Sequence, residues 1–309
     1  MIMKTSDRLM IEKTGASGFT LVELAVVIAT LAVLAALLLP ALAGTKPNTQ
    51  AFQCLENQHQ LILAWQMYAQ DNSDILPPND YPWTSTVATD GSVKNWVFGT
   101  EYQPLNAIST AILVNPKLTL LALYNTNPAV YHCPADTSLV PGQKVSRTRS
   151  VSMNSAVGTI WFTHIYSPTI PAGSPVQGGW LGPGTSFIGG MNPTYRTYGK
   201  ITQMTKPGPS MTWVIMDENP TTINDGSLAV NMNNSPGVII DYPANYHNGA
   251  AGISFADGHA ETHRWRDAFA APPATALSGA TGGPGSVPAS APPNCKDLAW
   301  LQPRTTALR

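Results

Sequence analysis

Charged residues are scarce in this chain: they make up 11% of its 309 residues, and the formal net charge is −1. Binding to nucleic acid depends largely on a field of Lys and Arg that neutralises phosphate groups. A chain with so little charge of either sign carries no such field. We therefore expect no nucleic-acid partner.

Cysteine is scarce as well, with only Cys54, Cys133 and Cys295 in the whole sequence. Three cysteines are too few for a disulfide scaffold, and these lack the close spacing of a zinc site. They allow at most one disulfide and one spare thiol.

Catalytic motifs are also missing, because no nucleophile motif or compact set of metal ligands occurs. An enzyme, in the form of a membrane-anchored hydrolase, would need paired carboxylates or a metal-bound water. Its candidate residues are Asp217, Glu218, Asp241, His247, Asp257, His259 and Glu261. Acids in Asn- and Gly-rich turns are usually turn formers, so we expect that the chain is not an enzyme.

Proline and glycine, by contrast, are abundant, with 27 and 25 residues. Together with many Ser, Thr and Asn residues, they favour a loop-rich body that contains β-structure over a helical bundle.

The longest apolar run begins at Phe19 and continues to Ala43, which is enough for a helix across a roughly 30 Å hydrocarbon core. One carboxylate, Glu23, interrupts it, and an acid at such a position normally has a function and a partner. A secretory signal peptide is the alternative, because residues 41–43 read ALA and would allow cleavage before Gly44.

The stretch GFTLVEL at residues 18–24 follows a polar leader with small residues and precedes the apolar run. It resembles the processing site of type IV prepilins and type II secretion pseudopilins. The resemblance implies that a prepilin peptidase cuts between Gly18 and Phe19 and methylates the new amino terminus. Glu23 would then pair with the terminal ammonium of a neighbouring subunit in a filament.

The same resemblance implies a location and a set of partners. The protein would be a single-pass inner-membrane protein with its body in the periplasm. It would then leave the membrane and join a filament. Its partners would be homologous pilin subunits, the prepilin peptidase, an inner-membrane assembly platform and membrane lipid. Pro40 removes one helix hydrogen bond and should kink or open the helix.

Apolar residues at helical spacing continue through residues 52–69, where Cys54, Leu61, Trp65 and Tyr68 form one face. Residues 71–74 and the following Pro77-Pro78 predict the end of this helix. The predicted fold is therefore α+β and type IV pilin-like. A long hydrophobic N-terminal helix continues as an amphipathic helix packed on an antiparallel β-sheet, within a loop-rich body.

A β-hairpin is predicted in the C-terminal third, with Asp257-Gly258 as a two-residue turn. That register places Ile253 and Phe255 on the face of Ala260. His247 precedes Asp257 by nine intervening residues, and this spacing resembles the prepilin proteins that carry an H-x9-DG domain. We expect structural roles for His247, Asp257 and Gly258.

Two further features are predicted for the body. In an oxidising periplasm, Cys133 could bridge to Cys54, which leaves Cys295 as the spare thiol, although Cys295 could also pair with either of them. No cofactor is expected beyond a structural calcium ion, which prefers oxygen ligands, whereas His247 suits zinc better. The candidate calcium ligands are Asp217, Asn224, Asp225 and Asp241.

The predicted domain organisation follows from these segments. It comprises a leader (1–18), a transmembrane and assembly helix (19–43), an amphipathic helix (44–76), a β-rich body (77–269), a low-complexity linker (270–294) and a C-terminal docking segment (295–309). The predicted function is that of a pilin-like or pseudopilin structural subunit of a type II secretion or type IV pilus-like filament. The alternative is a carbohydrate-binding or adhesive minor pilin that uses aromatic residues such as Trp83, Trp96 and Trp161, although core positions are favoured for them.

Overall fold

The computed structural model describes residues 20–79, 93–101, 104–140, 143–161, 170–182, 192–233, 237–270 and 289–309, and for residues 35–48 it describes the helical backbone alone. The chain divides into two compact units, Met1–Lys46 and Pro47–Arg309. The fold class is α+β, with a mixed five-stranded sheet and a few helices.

The helices are α1 (Leu21–Asp71), α2 (Pro104–Ala107), α3 (Thr110–Leu113) and α4 (Lys296–Thr305). Short 3-10 helices cover Leu120–Leu123, Pro128–Tyr131 and Ile201–Gln203. The strands are β1 (Val151–Asn154), β2 (Trp213–Asp217), β3 (Ser227–Leu228), β4 (Val238–Ile239), β5 (Ala250–Phe255), β6 (Ala260–Arg264) and β7 (Ala289–Ser290).

The main sheet has the strand order β3-β1-β2-β5-β6. Three of its pairings are antiparallel, but β1 and β3 run parallel. The predicted antiparallel sheet is therefore corrected to a mixed one, because the chain returns to the edge of β1 through the long connection between β2 and β3. Strands β4 and β7 form a separate two-stranded antiparallel sheet.

The second half of α1 packs on one face of the main sheet. Leu61, Ile62 and Trp65 are fully buried in an apolar cluster that also contains Met153 of β1 and Ile215 of β2. The predicted apolar face of this helix is confirmed, because its positions recur every three or four residues and all turn toward the sheet. The helix ends at Asp71, where the polar run was predicted to stop it.

Strand β5 lies beside α1 through small residues. Its side chains alternate, so Ile253 and Phe255 enter the apolar cluster on the other face of the sheet. Gly252 and Ser254 face the helix instead, and Gln66 of α1 donates a hydrogen bond to the carbonyl of Ala256 at 3.0 Å. Small side chains on this face allow the helix to approach the strand closely.

The C-terminal helix covers the opposite face of the sheet. Leu298 and Leu301 of α4 are buried with Trp213 and Phe255. The indole Nε1 of Trp213 donates to Oγ1 of Thr305 at 2.9 Å, which fixes the end of α4 against the central strand β2. Part of the predicted linker 270–294 is also ordered into the fold, because β7 pairs with β4.

The predicted hairpin exists, but its register was wrong by one residue. Ile253 pairs with Glu261, and Phe255 donates its N–H to the carbonyl of His259 at 2.9 Å. The loop therefore has three residues, 256–258, and Gly258 adopts a φ of +100° that suits the last position of such a loop. A shift of one residue moves the partner side chains to the other face of the strand, so Phe255 stacks on His259 rather than facing Ala260.

The membrane prediction is also contradicted. In the part of the chain that the structure describes, no helix is both long and apolar enough to span a bilayer, although α1 has 51 residues. A crossing requires about 20 consecutive apolar residues for a hydrocarbon core of roughly 30 Å. The predicted transmembrane helix 19–43 and the single-pass inner-membrane location with a periplasmic body are corrected accordingly.

Candidate metal centre

Four side chains that are distant in sequence meet beneath α1. Their ligand atoms all lie within 4.8 Å of one another, and they are the one such group among the described residues. We call this group the thiol cluster: it consists of Cys54, Cys133, Asp217 and His247.

The contacts within the thiol cluster join its members in pairs. Cys54 donates its S–H to Oδ2 of Asp217 at 2.9 Å, and Sγ of Cys133 lies 3.3 Å from Nε2 of His247. The same Nε2 is 4.0 Å from Oδ2 of Asp217. The side chains of Asp217 and His247 are 0% and 4% exposed, so the cluster is closed to solvent.

Four different elements supply these residues. Cys54 belongs to the buried face of α1, and Cys133 follows the 3-10 helix Pro128–Tyr131. Asp217 is the last residue of β2, and His247 lies in the loop before β5. The pairing of β2 with β5 brings the last two segments together, because both are neighbours in the centre of the sheet.

A bulge in β2 directs Asp217 toward the helix. The register between β2 and β5 shifts between Trp213 and Ile215, so that Val214 and Ile215 both enter the apolar cluster on the α1 face. Met216 then points to the opposite face, and Asp217 returns to the α1 face. Without the extra residue, the carboxylate would lie on the far side of the sheet.

Neighbouring groups hold Asp217 in place. Its Oδ2 accepts the backbone N–H of Gly252 at 2.9 Å, and its Oδ1 accepts a hydrogen bond from Gln58 at 3.3 Å. Cys133 is fixed in a similar way, because its N–H donates to Oγ of Ser150 at 2.7 Å. The groups around the cluster thus orient two of its four members.

Burial changes the protonation of the cluster. The hydrogen bond with Cys133 and then burial raise the pKa of the Cys54 thiol well above its usual range. Burial raises the pKa of Asp217 to about 6 and lowers the pKa of His247. All three shifts favour the uncharged forms, as expected for groups without access to water.

Chemically, the cluster offers two sulfur atoms, one imidazole nitrogen and one carboxylate oxygen. This donor set suits zinc and related transition metals, whereas calcium takes oxygen ligands. Four protein donors would fill a tetrahedral shell, and catalytic zinc sites keep one position open. The arrangement is therefore suited to structure rather than to turnover.

The predicted disulfide is not present: both Cys54 and Cys133 are free, and so is Cys295. The sulfur atoms of Cys54 and Cys133 do lie within 4.8 Å of each other. Each thiol also contacts a non-sulfur member of the cluster, Cys54 with Asp217 and Cys133 with His247. Cys295 lies elsewhere, with its Sγ 3.3 Å from Oδ1 of Asp267.

The candidate calcium ligands are not brought together. Asp217 belongs to the thiol cluster, while Asp225 accepts the N–H of Ser227 and Asp241 accepts that of Ala229. Among the described residues, these three carboxylates do not form a group of ligand atoms within 4.8 Å. Asn224 accepts the N–H of the adjacent Asp225 at 2.6 Å.

Glu218, the residue after β2, is a fully buried acid that does not belong to the thiol cluster. Burial and the nearby carboxylate of Asp241 raise the pKa of Glu218 well above its usual range. Burial also raises the pKa of Asp225 to about 7. These groups form a region of buried acids, in which Nη1 of Arg149 donates to the backbone carbonyl of Asp225 at 2.7 Å.

His247 and the Asp257-Gly258 turn lie at opposite ends of β5. A six-residue strand at about 3.3 Å per residue separates them by roughly 20 Å. Asp257 contacts Nδ1 of His259 at 2.6 Å on the surface, and Gly258 lies against Gln66 of α1. The spacing of nine residues between His247 and Asp257 therefore reflects the length of β5, and the two residues do not belong to one site.

The remaining predicted residues lie in or near the N-terminal unit. Gly18 and Phe19 are outside the described residues. Glu23 forms a capping box with Thr20: Oε2 of Glu23 accepts the N–H of Thr20 at 2.8 Å, and Oγ1 of Thr20 accepts the N–H of Glu23 at 3.2 Å. Pro40 lies inside α1.

The aromatic residues considered for sugar binding are placed differently from one another. Trp96 is fully buried, and its Nε1 donates to the carbonyl of Gly226 at 2.9 Å. Trp161 is half-buried with Lys94 above its ring, and Trp83 is outside the described residues. The buried position of Trp96 is the core role that was favoured for it.

The sequence did not lead us to predict that the four residues of the thiol cluster share one site. The two cysteines are far apart along the chain, and no local spacing reveals a shared site. One available signal was a cysteine on the buried face of a helix beside the polar Gln58. A buried polar pair of this kind usually has a polar partner in the core.

Comparison with protein-family models, with curated proteins and with solved structures found no match for the chain.

Proposed function

We propose that the chain is a pilin-like structural subunit, processed between Gly18 and Phe19, that assembles with copies of itself through the first part of α1. One observation carries this proposal: residues 21–34 of α1, which we call the exposed segment, present an apolar surface that their own unit leaves uncovered.

The exposed segment carries nine large apolar side chains that are between 43% and 84% exposed. They are Leu21, Val22, Leu24, Val26, Val27, Ile28, Leu31, Val33 and Leu34. An apolar surface of this extent on a helix normally marks an interaction site. The segment therefore requires a partner.

The distribution of these side chains indicates what the partner is. Successive residues turn by roughly 100° around a helix, so the nine positions are spread over the whole circumference rather than along one stripe. One partner surface would cover a single side only. Several copies of the same apolar helix, packed around each other as in a filament core, cover all sides at once.

Glu23 supports an assembly of this kind because it is a fixed charge in an apolar surface. Hydrogen bonds from Thr20 lower the pKa of Glu23, so the carboxylate is ionised at neutral pH. A charge that becomes buried between helices needs a cation opposite it. In the proposed filament, the ammonium group that cleavage creates at Phe19 of a neighbouring copy supplies this cation.

Processing is tested first by the intact mass of the protein produced together with a prepilin peptidase. The expected product lacks residues 1–18 and carries one methyl group on Phe19. A matched Gly18→Val chain, with a bulky residue before the cut, should keep its leader. A product that begins at Gly44 would contradict the proposal, because it would have lost the exposed segment.

The role of the charge is tested by comparing Glu23→Gln with Glu23→Ala. Glutamine can replace glutamate in a capping box but carries no charge, whereas alanine removes both properties. We expect both variants to fail in filament assembly, measured by sedimentation of sheared filaments and electron microscopy. Normal filaments of Glu23→Gln would show that Glu23 is only a helix cap.

A further inference from the structure

We propose that the thiol cluster binds one zinc-type transition-metal ion as a closed structural site that joins α1 to the sheet. The inference concerns the body and is independent of the assembly proposed for the exposed segment.

The distances within the cluster are close to those of a bound ion. With Zn–S bonds of about 2.3 Å and Zn–N or Zn–O bonds of about 2.0 to 2.2 Å, neighbouring donors in a tetrahedron lie roughly 3.3 to 3.8 Å apart. The cluster has donor pairs at 2.9, 3.3 and 4.0 Å, and every pair lies within 4.8 Å. Movements of about an ångström would therefore complete the shell.

The kinds of donor select the ion. Two sulfur atoms beside an imidazole favour zinc and similar metals, because thiolates are soft ligands and calcium prefers oxygen. Zinc also accepts one carboxylate oxygen, which Asp217 supplies. Both thiols would lose their protons to solvent as the two metal–sulfur bonds form.

A disulfide explains the cluster less well. Joining Cys54 to Cys133 would remove the S–H that Cys54 donates to Asp217. It would also leave the imidazole of His247 beside an oxidised sulfur in a closed pocket. A buried carboxylate that loses a donor carries a free-energy cost, whereas a metal ion uses all four groups.

The backbone around the cluster leaves room for the four donors. A Cβ atom on Gly252 would lie 2.8 Å from Sγ of Cys54 and 3.0 Å from Oδ2 of Asp217. Gly252 does not have a positive φ in this structure, so its requirement is for space and not for an unusual backbone conformation. The strand thus makes space where helix and sheet donors converge.

The experiment uses the full chain, purified with reductant and chelator and then titrated with Zn²⁺ or Co²⁺. We expect one metal ion per chain by elemental analysis. We also expect cobalt spectra with thiolate-to-cobalt charge-transfer bands and the visible bands of a tetrahedral site. Thermal unfolding should shift to higher temperature with Zn²⁺ and remain unchanged with Ca²⁺.

Variants assign the site and provide its control. Cys133→Ser and His247→Gln should each weaken cobalt binding at least tenfold and reduce the charge-transfer or visible bands. Cys295→Ser should bind like the parent, because Cys295 is a third buried free cysteine that contacts Asp267 instead.

Two results would overturn the inference. The first is a parent chain with reduced cysteines that shows no cobalt bands and equal melting temperatures in Zn²⁺ and chelator. The second is binding that survives in Cys133→Ser but disappears in Cys295→Ser. The parent measurement decides the matter even where a cluster variant does not fold.

Discussion

The apolar side chains of α1 are exposed at residues 21–34, and most of them are buried at residues 54–69. In the exposed segment, Leu21 and Val33 are 84% and 61% exposed. In residues 54–69, which we call the packed segment, Leu61 and Trp65 are fully buried against the sheet. One helix therefore builds a core within its own body at one end and leaves an equally apolar surface uncovered at the other.

This difference shows what each half contributes. The packed segment has polar residues between its apolar positions, so only one face requires burial. The exposed segment is apolar around its whole circumference, so a single partner surface would cover only one of its sides. We infer that the packed segment stabilises the fold and that the exposed segment serves association.

The largest expected effect distinguishes the two segments by stability. Trp65→Ala in the packed segment should reduce the free energy of unfolding by about 3 to 5 kcal/mol, because it leaves a cavity in the core. Leu34→Ala in the exposed segment should change it by no more than about 0.5 kcal/mol. Urea denaturation followed by circular dichroism measures both. Similar losses in the two variants would break the comparison.

The dependence of stability on pH provides the next test, because the pKa of Glu23 in the N-terminal unit is lowered and that of Asp225 in the body is raised. The pKa of Asp225 is raised to about 7 from 3.8, so the folded state holds a proton that the unfolded chain has lost. Stability should therefore fall as the pH rises from about 4 to about 7. Asp225→Asn keeps an acceptor for Ser227 and should remove part of this fall, at most about 4 kcal/mol.

The control for this titration is Glu23→Gln, since Glu23 is fully exposed and its pKa is lowered. Its unfolding free energy should keep the parent's dependence on pH between about 5 and 8. An Asp225→Asn chain with the same pH dependence as the parent would show that Asp225 does not titrate in this range.

A smaller effect tests how closely the packed segment approaches β5. Gly252→Ala should destabilise the protein by about 1 to 3 kcal/mol, because the new methyl group would contact Cys54 and Asp217. Gly208→Ala is the matched control, since a Cβ there meets nothing within 4 Å. Equal melting temperatures for the two variants would mean that helix and strand can separate at little cost.

Local patterns in the sequence predict part of this fold. The packed segment was predicted because its apolar face repeats every three or four residues. The hairpin was predicted with the wrong register, because an Asp-Gly pair fits a two-residue loop as well as the last positions of a three-residue loop. Only the pairing of Phe255 with His259 distinguishes them.

The thiol cluster depends on non-local structure and was not predicted. Asp217 and His247 come together because β2 and β5 are neighbours and a bulge turns Asp217 toward α1, while Cys54 and Cys133 reach them from α1 and from the segment after a 3-10 helix. Neither the strand order nor the bulge can be deduced from spacing along the chain. The predicted calcium ligands are separated for the same reason: Asp217 joins the thiol cluster, whereas Asp225 and Asp241 accept backbone N–H groups of Ser227 and Ala229.

Cross-linking between copies of the chain tests the central claim most directly. Leu31→Cys in the exposed segment and Leu63→Cys in the packed segment are both exposed positions of α1, at 59% and 42%. The three native cysteines are buried and provide a low background. After mild oxidation in the producing cells, the account predicts disulfide-linked dimers for Leu31→Cys and none for Leu63→Cys on non-reducing gels. Equal cross-linking at both positions, or none at Leu31→Cys, would contradict it.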